Sequence, residues 1–245
     1  MSIVDDLLAA LPADAPVQEV LVGLYWTAVH SRGVGLAATP SDLSCCLTED
    51  VRDVGQLQTQ TAHSLAVWLK SSHPVEVSVG MAALNSLLAV DAPAGVELNA
   101  RELLLARGCG KNVVTVGHFP FTDALRAVAA RVSVLELRPT PGDDPAEAAA
   151  ERLPQADVIG LTASTLLNGT FDELSKWFPP RALVVMLGPS TPLSPVLFDH
   201  GVDVLGGVQV RDPTAAFRYV SQASSLHGVP GLVRVTLARN RALTS

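Results

Sequence analysis

The sequence predicts an α/β protein: a Rossmann-like parallel sheet of about five strands over residues 96–245, preceded by a smaller α+β unit over residues 1–95. Three observations carry this. From Lys111 onward, short apolar runs alternate with helical stretches, the pattern of strands joined by crossover helices. Before that point, strand signals come as a hairpin and helical signals come grouped, which is α+β order. The composition is 48% hydrophobic, 17% charged and only 4% aromatic. A core of Val, Leu and Ala follows, as buried parallel strands and their covering helices require.

In the N-terminal unit, the alternation from Gln18 to His30 predicts an extended strand. Ser31-Arg32-Gly33 reads as a turn and Gly33 to Ala37 as the returning strand. Helices are expected over Thr59–Ser71 and Val79–Val90, the second apolar nearly all round and therefore buried. Asp91-Ala92-Pro93-Ala94-Gly95 breaks the pattern and is the expected boundary. Asn99 can cap a short helix from Ala100 to Arg107. The expected parallel strands are Asn112–Val116, Val132–Leu137, Asp157–Leu161, Leu183–Leu187 and Val202–Leu205. Helices are expected near Thr122–Ala130, Pro145–Arg152, Thr170–Phe178, Leu193–Asp199 and Pro213–Ser224. No internal repeat is visible.

Composition excludes several functions. The net charge is −7 and no cluster of Lys or Arg occurs, so no phosphate-neutralising face for nucleic acid is expected. No uncharged apolar run is long enough to span a membrane. The opening Met1-Ser2-Ile3-Val4-Asp5-Asp6 lacks the basic start and apolar run of a signal peptide. Three cysteines, with Cys45 and Cys46 adjacent, make no disulfide framework. A cytoplasmic protein is expected, with a homo-oligomer left open.

Ligands of open parallel sheets lie at the carboxyl ends of the strands, near the point where strand order reverses. Those ends here read Gly117-His118-Phe119-Pro120-Phe121, Glu136, Thr162 to Thr170, Gly188-Pro189-Ser190-Thr191-Pro192, and Gly206-Gly207. Glycine lets backbone approach a ligand, and hydroxyls and helix-start N–H groups donate to oxygens. Turn chemistry alone also favours such residues, but two elaborate loops on one edge argue for a site. The expected lining is Asn85, Gly117, His118, Glu136, Ser164, Thr165, Asn168, Gly188, Ser190 and Thr191, between the two units.

The first turn lacks G-x-G-x-x-G, although Glu136 stands where a ribose-binding acid belongs, and no phosphate-loop lysine motif occurs. Neither NAD nor ATP is expected. His118, directly after the first strand, is the candidate metal ligand or acid–base group. The alternative is a histidine bonded to a loop carbonyl. His30, His63, His73, His200 and His227 read as surface residues. Cys45 and Cys46 read as buried thiols, because neighbours chelate one ion poorly; Cys109 reads as structural. Asn85 interrupts an apolar helix, so it either ties two layers together or faces the cleft.

These strand-end motifs resemble the putative heavy-metal chelation domain proteins of bacteria and archaea. The resemblance runs through Gly117 to Phe121, Leu153-Pro154 to Asp157, Ser164 to Thr170, Leu187 to Pro195, and Gly201 to Gly207. Trp26 to Val29, Gly33 to Ala37, and Gly80 to Asn85 resemble the companion domain. The resemblance implies an enolase-N-terminal-like domain joined to a Rossmann-like one, with the site between them and a transition metal as the associated ion. The function expected first is binding of a small anionic or metal-chelating metabolite, with or without its metal. The alternative is an enzyme acting on such a compound, with His118 as acid–base group and the Ser164–Thr170 loop holding oxyanions. A third is an assembly role in a metal-cofactor pathway. No dense Cys/His/Asp/Glu cluster is evident, so a protein-only metal cage is disfavoured, whereas a metal arriving with an organic ligand is not.

Overall fold

The computed structural model describes residues 2–42, 49–88 and 99–239. The expected boundary at Asp91–Gly95 lies outside them, as do Cys45 and Cys46. Helix α1, Ile3–Ala9, opens the chain on a capping box between Ser2 and Asp5. Strands β1 (Glu19–Val22), β2 (Trp26–His30) and β3 (Val34–Ala38) form an antiparallel sheet in that order. The expected single strand from Gln18 to His30 is therefore two. Gly23 reverses the chain, its N–H donating to Trp26 O at 2.9 Å, and the alternation continues on both sides of the turn. Helix α2 (Ala62–Ala66) continues into a 3-10 turn, and α3 (Pro74–Leu88) packs across β2 and β3. Val75 through Leu87 of α3 are all buried, the polar Glu76, Ser78, Asn85 and Ser86 among them.

Helix α4 (Ala100–Gly108) leads into the large sheet, with Asn99 as its cap, accepting from Arg101 N–H. Then come β4 (Asn112–Val116), α5 (Thr122–Val128), β5 (Arg131–Glu136), β6 (Asp144–Pro145) and α6 (Ala149–Arg152). Strand β7 (Val158–Thr162) precedes the short helices α7 (Ser164–Leu167) and α8 (Phe171–Leu174). The chain closes with β8 (Leu183–Leu187), α9 (Val196–Asp199), β9 (Val204–Val210), α10 (Pro213–Ser221) and β10 (Leu232–Ala238). The order is β10-β9-β8-β7-β4-β5-β6. All neighbours are parallel except β10, which runs antiparallel to β9. The sheet thus has seven strands where about five were expected. Strand order reverses at β4, which pairs with β5 on one side and β7 on the other.

The smaller unit sits on the carboxyl edge of the large sheet. β3 and α3 pack on α7, on β9 and on the loop after β8. That covers the β7–β9 half of the edge and leaves the β4–β6 half open.

Candidate functional site

The open half is built on the turn after β4. Gly117 has φ +95°, and a Cβ there would lie 2.9 Å from Thr162 Cγ2. Glycine lets the turn pass beside the end of β7. The next residue, His118, donates its backbone N–H to Glu136 Oε1 at 2.7 Å. Glu136 closes β5, the position of a ribose-binding acid in dinucleotide folds, and here one of its oxygens is engaged by the protein's own turn. Thr122 Oγ1 accepts from Phe119 N–H at 3.1 Å and donates to Phe119 O at 2.8 Å, and the Phe119 and Phe121 rings stack 5.2 Å apart. His118 therefore stands on a braced turn with its side chain 46% exposed.

The second wall comes from the β5–β6 loop. Thr140-Pro141-Gly142-Asp143 closes with Asp143 N–H donating to Thr140 O at 2.9 Å, and Gly142 has φ +97°. This is a type II turn, with Pro and Gly where that turn demands them. It folds Asp143 back under His118. Asp143 Oδ2 accepts from Thr140 Oγ1 at 2.7 Å and Thr140 N–H at 3.1 Å. Asp143 Oδ1 makes no hydrogen bond to the protein and lies 3.5 Å from His118 Nδ1 and 3.8 Å from Arg126 Nη2. The Thr140 hydroxyl above all, then its N–H and the charges of His118 and Arg126, hold the Asp143 carboxyl below the ordinary carboxylate value, against the opposing effect of burial. His118, Glu136, Arg138, Thr140 and Asp143 line an open groove of about 360 Å³, within the roughly 300–1,000 Å³ typical of small-ligand sites. Arg138 pairs with Asp42, which follows β3, so the smaller unit reaches the rim of the groove.

The covered half holds the other expected residues. Asn85 Nδ2 donates to Leu36 O at 3.0 Å and to Ser190 O at 3.1 Å. Ser190 Oγ accepts from Ala38 N–H at 2.8 Å. Asn85 thus ties the two layers together. Its Oδ1 and Thr191 Oγ1 are buried without a protein partner, and both residues line a cavity of about 10 Å³, the room of one water molecule. That space does not admit an organic metabolite. Gly188, with φ +130°, turns the chain from β8 into this contact. Thr165 is buried and donates to Thr162 O at 2.8 Å; Ser164 N–H donates to Thr162 Oγ1 at 3.3 Å; Asn168 Oδ1 accepts from Thr170 at 2.7 Å. These hydrogen bonds all close within the end of β7 and the loop after it.

The structure therefore brings Gly117, His118 and Glu136 together, and separately Asn85, Ser190 and Thr191; His118 and Glu136 line the open groove, whereas Asn85 and Thr191 line the small cavity. Arg138, Thr140 and Asp143 were not among the expected site residues. The Thr-Pro-Gly-Asp turn was the available signal, since it predicts a chain reversal close to the end of β5. Of the histidines read as surface residues, His227 is exposed, whereas His30, His63, His73 and His200 are half-buried, His63 bonded to Pro12 O at 2.8 Å and His200 to Asp6 Oδ2 at 2.9 Å. Cys109 is an exposed free thiol. Among the described residues, no three His, Cys, Asp or Glu side chains converge as metal ligands, and no helix is long and apolar enough to cross a membrane.

A mostly parallel sheet with a small antiparallel unit on its carboxyl edge defines a mixed α/β protein, with an open groove beside the switch in strand order. The chain belongs to the family described as putative heavy-metal chelation. One family model with that description matches residues 99–239, and a second with the same description matches residues 4–88. A crystal structure of a protein with unknown function from the DUF364 family of Desulfitobacterium hafniense is 29% identical, with a TM-score of 0.83 over 97% of both chains. A DUF364 protein of Pyrococcus horikoshii, also of unknown function, shares the fold at 19% identity, with a TM-score of 0.78 over 97% of this chain and 98% of that one. Comparison with curated proteins finds no match.

Proposed function

We propose that this protein binds a metal in complex with a small organic chelator at the His118 groove, the metal being cargo and His118 supplying one protein ligand. The observation that carries this is the half-exposed His118 ring on a braced turn in the uncovered half of the strand edge. The family description points to metal handling. The donor set does not fit a protein-only chelate, because no third ligand converges among the described residues. It fits a single imidazole added to a metal that keeps other ligands, with the Arg138 guanidinium at the rim for the chelator's oxygens.

Native mass spectrometry with elemental analysis of the purified protein tests this. A bound mass carrying a transition metal is expected on the wild type. His118→Ala should lose it at least tenfold, equivalent to about 1.4 kcal/mol, with Tm unchanged, because a half-exposed side chain contributes little to stability. Retention of the complex by His118→Ala would refute the assignment. The Asp143–His118 pair also suits proton transfer, so the second reading is an enzyme using His118 as acid–base group. Turnover of a bound metabolite without metal would favour it.

A further inference from the structure

Asp143 stands in a surface loop, yet its side chain is only 2% exposed. Burying a carboxylate is unfavourable unless its oxygens find partners. Thr140 satisfies Oδ2 twice, but Oδ1 is left facing the His118 ring. Arg126 does not satisfy it. Its Nη2 is 3.8 Å away, beyond hydrogen-bond reach, and its Nη1 donates to Asp123 at 3.2 Å. Of the two basic side chains beside this oxygen, His118 is the nearer, with Nδ1 at 3.5 Å.

A neutral imidazole carries its proton on one nitrogen, and the environment selects which. With the proton on Nδ1, the positive end of the N–H dipole lies on the side of a buried anionic oxygen 3.5 Å from Nδ1, an electrostatic attraction without a formed hydrogen bond. With it on Nε2, the Nδ1 lone pair faces that oxygen across a poorly hydrated gap, which is repulsive. The His118 backbone N–H is held by Glu136 Oε1, which fixes where the side chain leaves the chain beside Asp143.

We infer that Asp143 is a positioning residue that holds His118 as the Nδ1–H tautomer. The groove then offers the Nε2 electron pair to a Lewis-acidic ligand, a metal centre with an exchangeable position. The ligand class rests on the reading of the groove as a metal-complex site; the tautomer is a property of the free protein. The same logic operates wherever a carboxylate orients a metal-binding histidine from behind.

Long-range proton–nitrogen correlation spectra of the ¹⁵N-labelled protein, recorded above pH 8, read the tautomer directly. The His118 signals are assigned by their loss in His118→Gln. The wild type should show Nδ1–H. Asp143→Asn keeps an oxygen for Thr140 but can turn its amide toward the ring, and it should give the Nε2–H form or a mixture. Thr140→Ala removes a loop bond while leaving the carboxylate, and should keep Nδ1–H. Calorimetric titration with Zn²⁺ alone should show affinity at least tenfold weaker in Asp143→Asn. An Nε2–H wild type overturns the inference, as does an unchanged tautomer in Asp143→Asn or the same switch in Thr140→Ala. If the tautomer behaves as stated but the wild type takes up no Zn²⁺, Asp143 keeps its role and the metal reading of the groove falls.

Discussion

Gly35 faces α3 so closely that a Cβ would stand 2.0 Å from Ala82 O and 2.3 Å from Ser86 N. Both are helix backbone, which cannot step aside as a side chain can. Gly35→Ala should therefore cost on the order of 3 kcal/mol through overpacking, and at roughly 2–4 °C per kcal/mol for a chain of this size lower Tm by about 6–12 °C. A variant melting within about 2 °C of the wild type would show that β3 can lift away. The next residue, Leu36, gives its carbonyl to Asn85, so this contact also sets the tie to Ser190. In the sequence, Gly35 reads only as a residue of a small-residue strand; nothing local reveals which helix lies above it. The position of His118 was legible for a different reason: an apolar run closed by glycine marks where β4 stops. Asp143 escaped because its meaning depends on a fold-back of the β5–β6 loop, which local pattern signals as a turn but does not aim.

Among the elements, α3 shows how a buried helix accommodates a charge. Glu76 lies in its first turn and is 4% exposed. Arg52 donates from Nε at 3.0 Å and from Nη2 at 2.6 Å, and Ser71 Oγ donates at 2.6 Å. The Arg52 guanidinium also lies over the Trp68 ring, 5.0 Å from its centroid. These bonds, Arg52 first, hold the Glu76 carboxyl at about 2 instead of 4.5. A depressed carboxylate contributes stability that is complete above the unfolded value and disappears as pH falls through the folded one. Wild-type stability should therefore drop between pH 4.5 and about 2. Glu76→Gln should be less stable at neutral pH and lose less over that interval. Urea denaturation across a pH series checks this, and parallel curves for the two proteins would assign the acid sensitivity elsewhere. Element types in the large sheet were mostly legible, because β4 and β8 begin and end as their apolar runs do. β10 was missed although Val233, Val235 and Leu237 alternate with Arg234 and Thr236. It is the antiparallel member, outside the strand–helix rhythm from which the others were read. The two residues of β6 carry no pattern at all.

For the whole molecule, the expected division into residues 1–95 and 96–245 is one of sequence pattern and sheet type. The packing suggests a different unit of stability. Ile3, Leu7, Val29, Met81 and Leu84 belong to the same contiguous buried cluster as Leu135, Ile159, Leu161, Met186 and Leu205. Polar ties cross the same boundary: Asn85 to Ser190, Ala38 to Ser190, and Ile3 N–H to Asp172 Oδ1 at 3.1 Å. His200 bonds Asp6 of α1 as well. Separating the units would expose apolar surface on both and strand the Ser190 carbonyl and the Asn85 amide. We therefore expect one cooperative transition in scanning calorimetry, with calorimetric and van't Hoff enthalpies equal. Asn85→Ala removes the central tie and leaves buried carbonyls unpaired, at about 1–3 kcal/mol each. It should shift that single peak downward as a whole, because neither layer retains a complete core without the other. Two resolved peaks, in the wild type or in this variant, would show instead that the units are independent domains meeting at an ordinary interface.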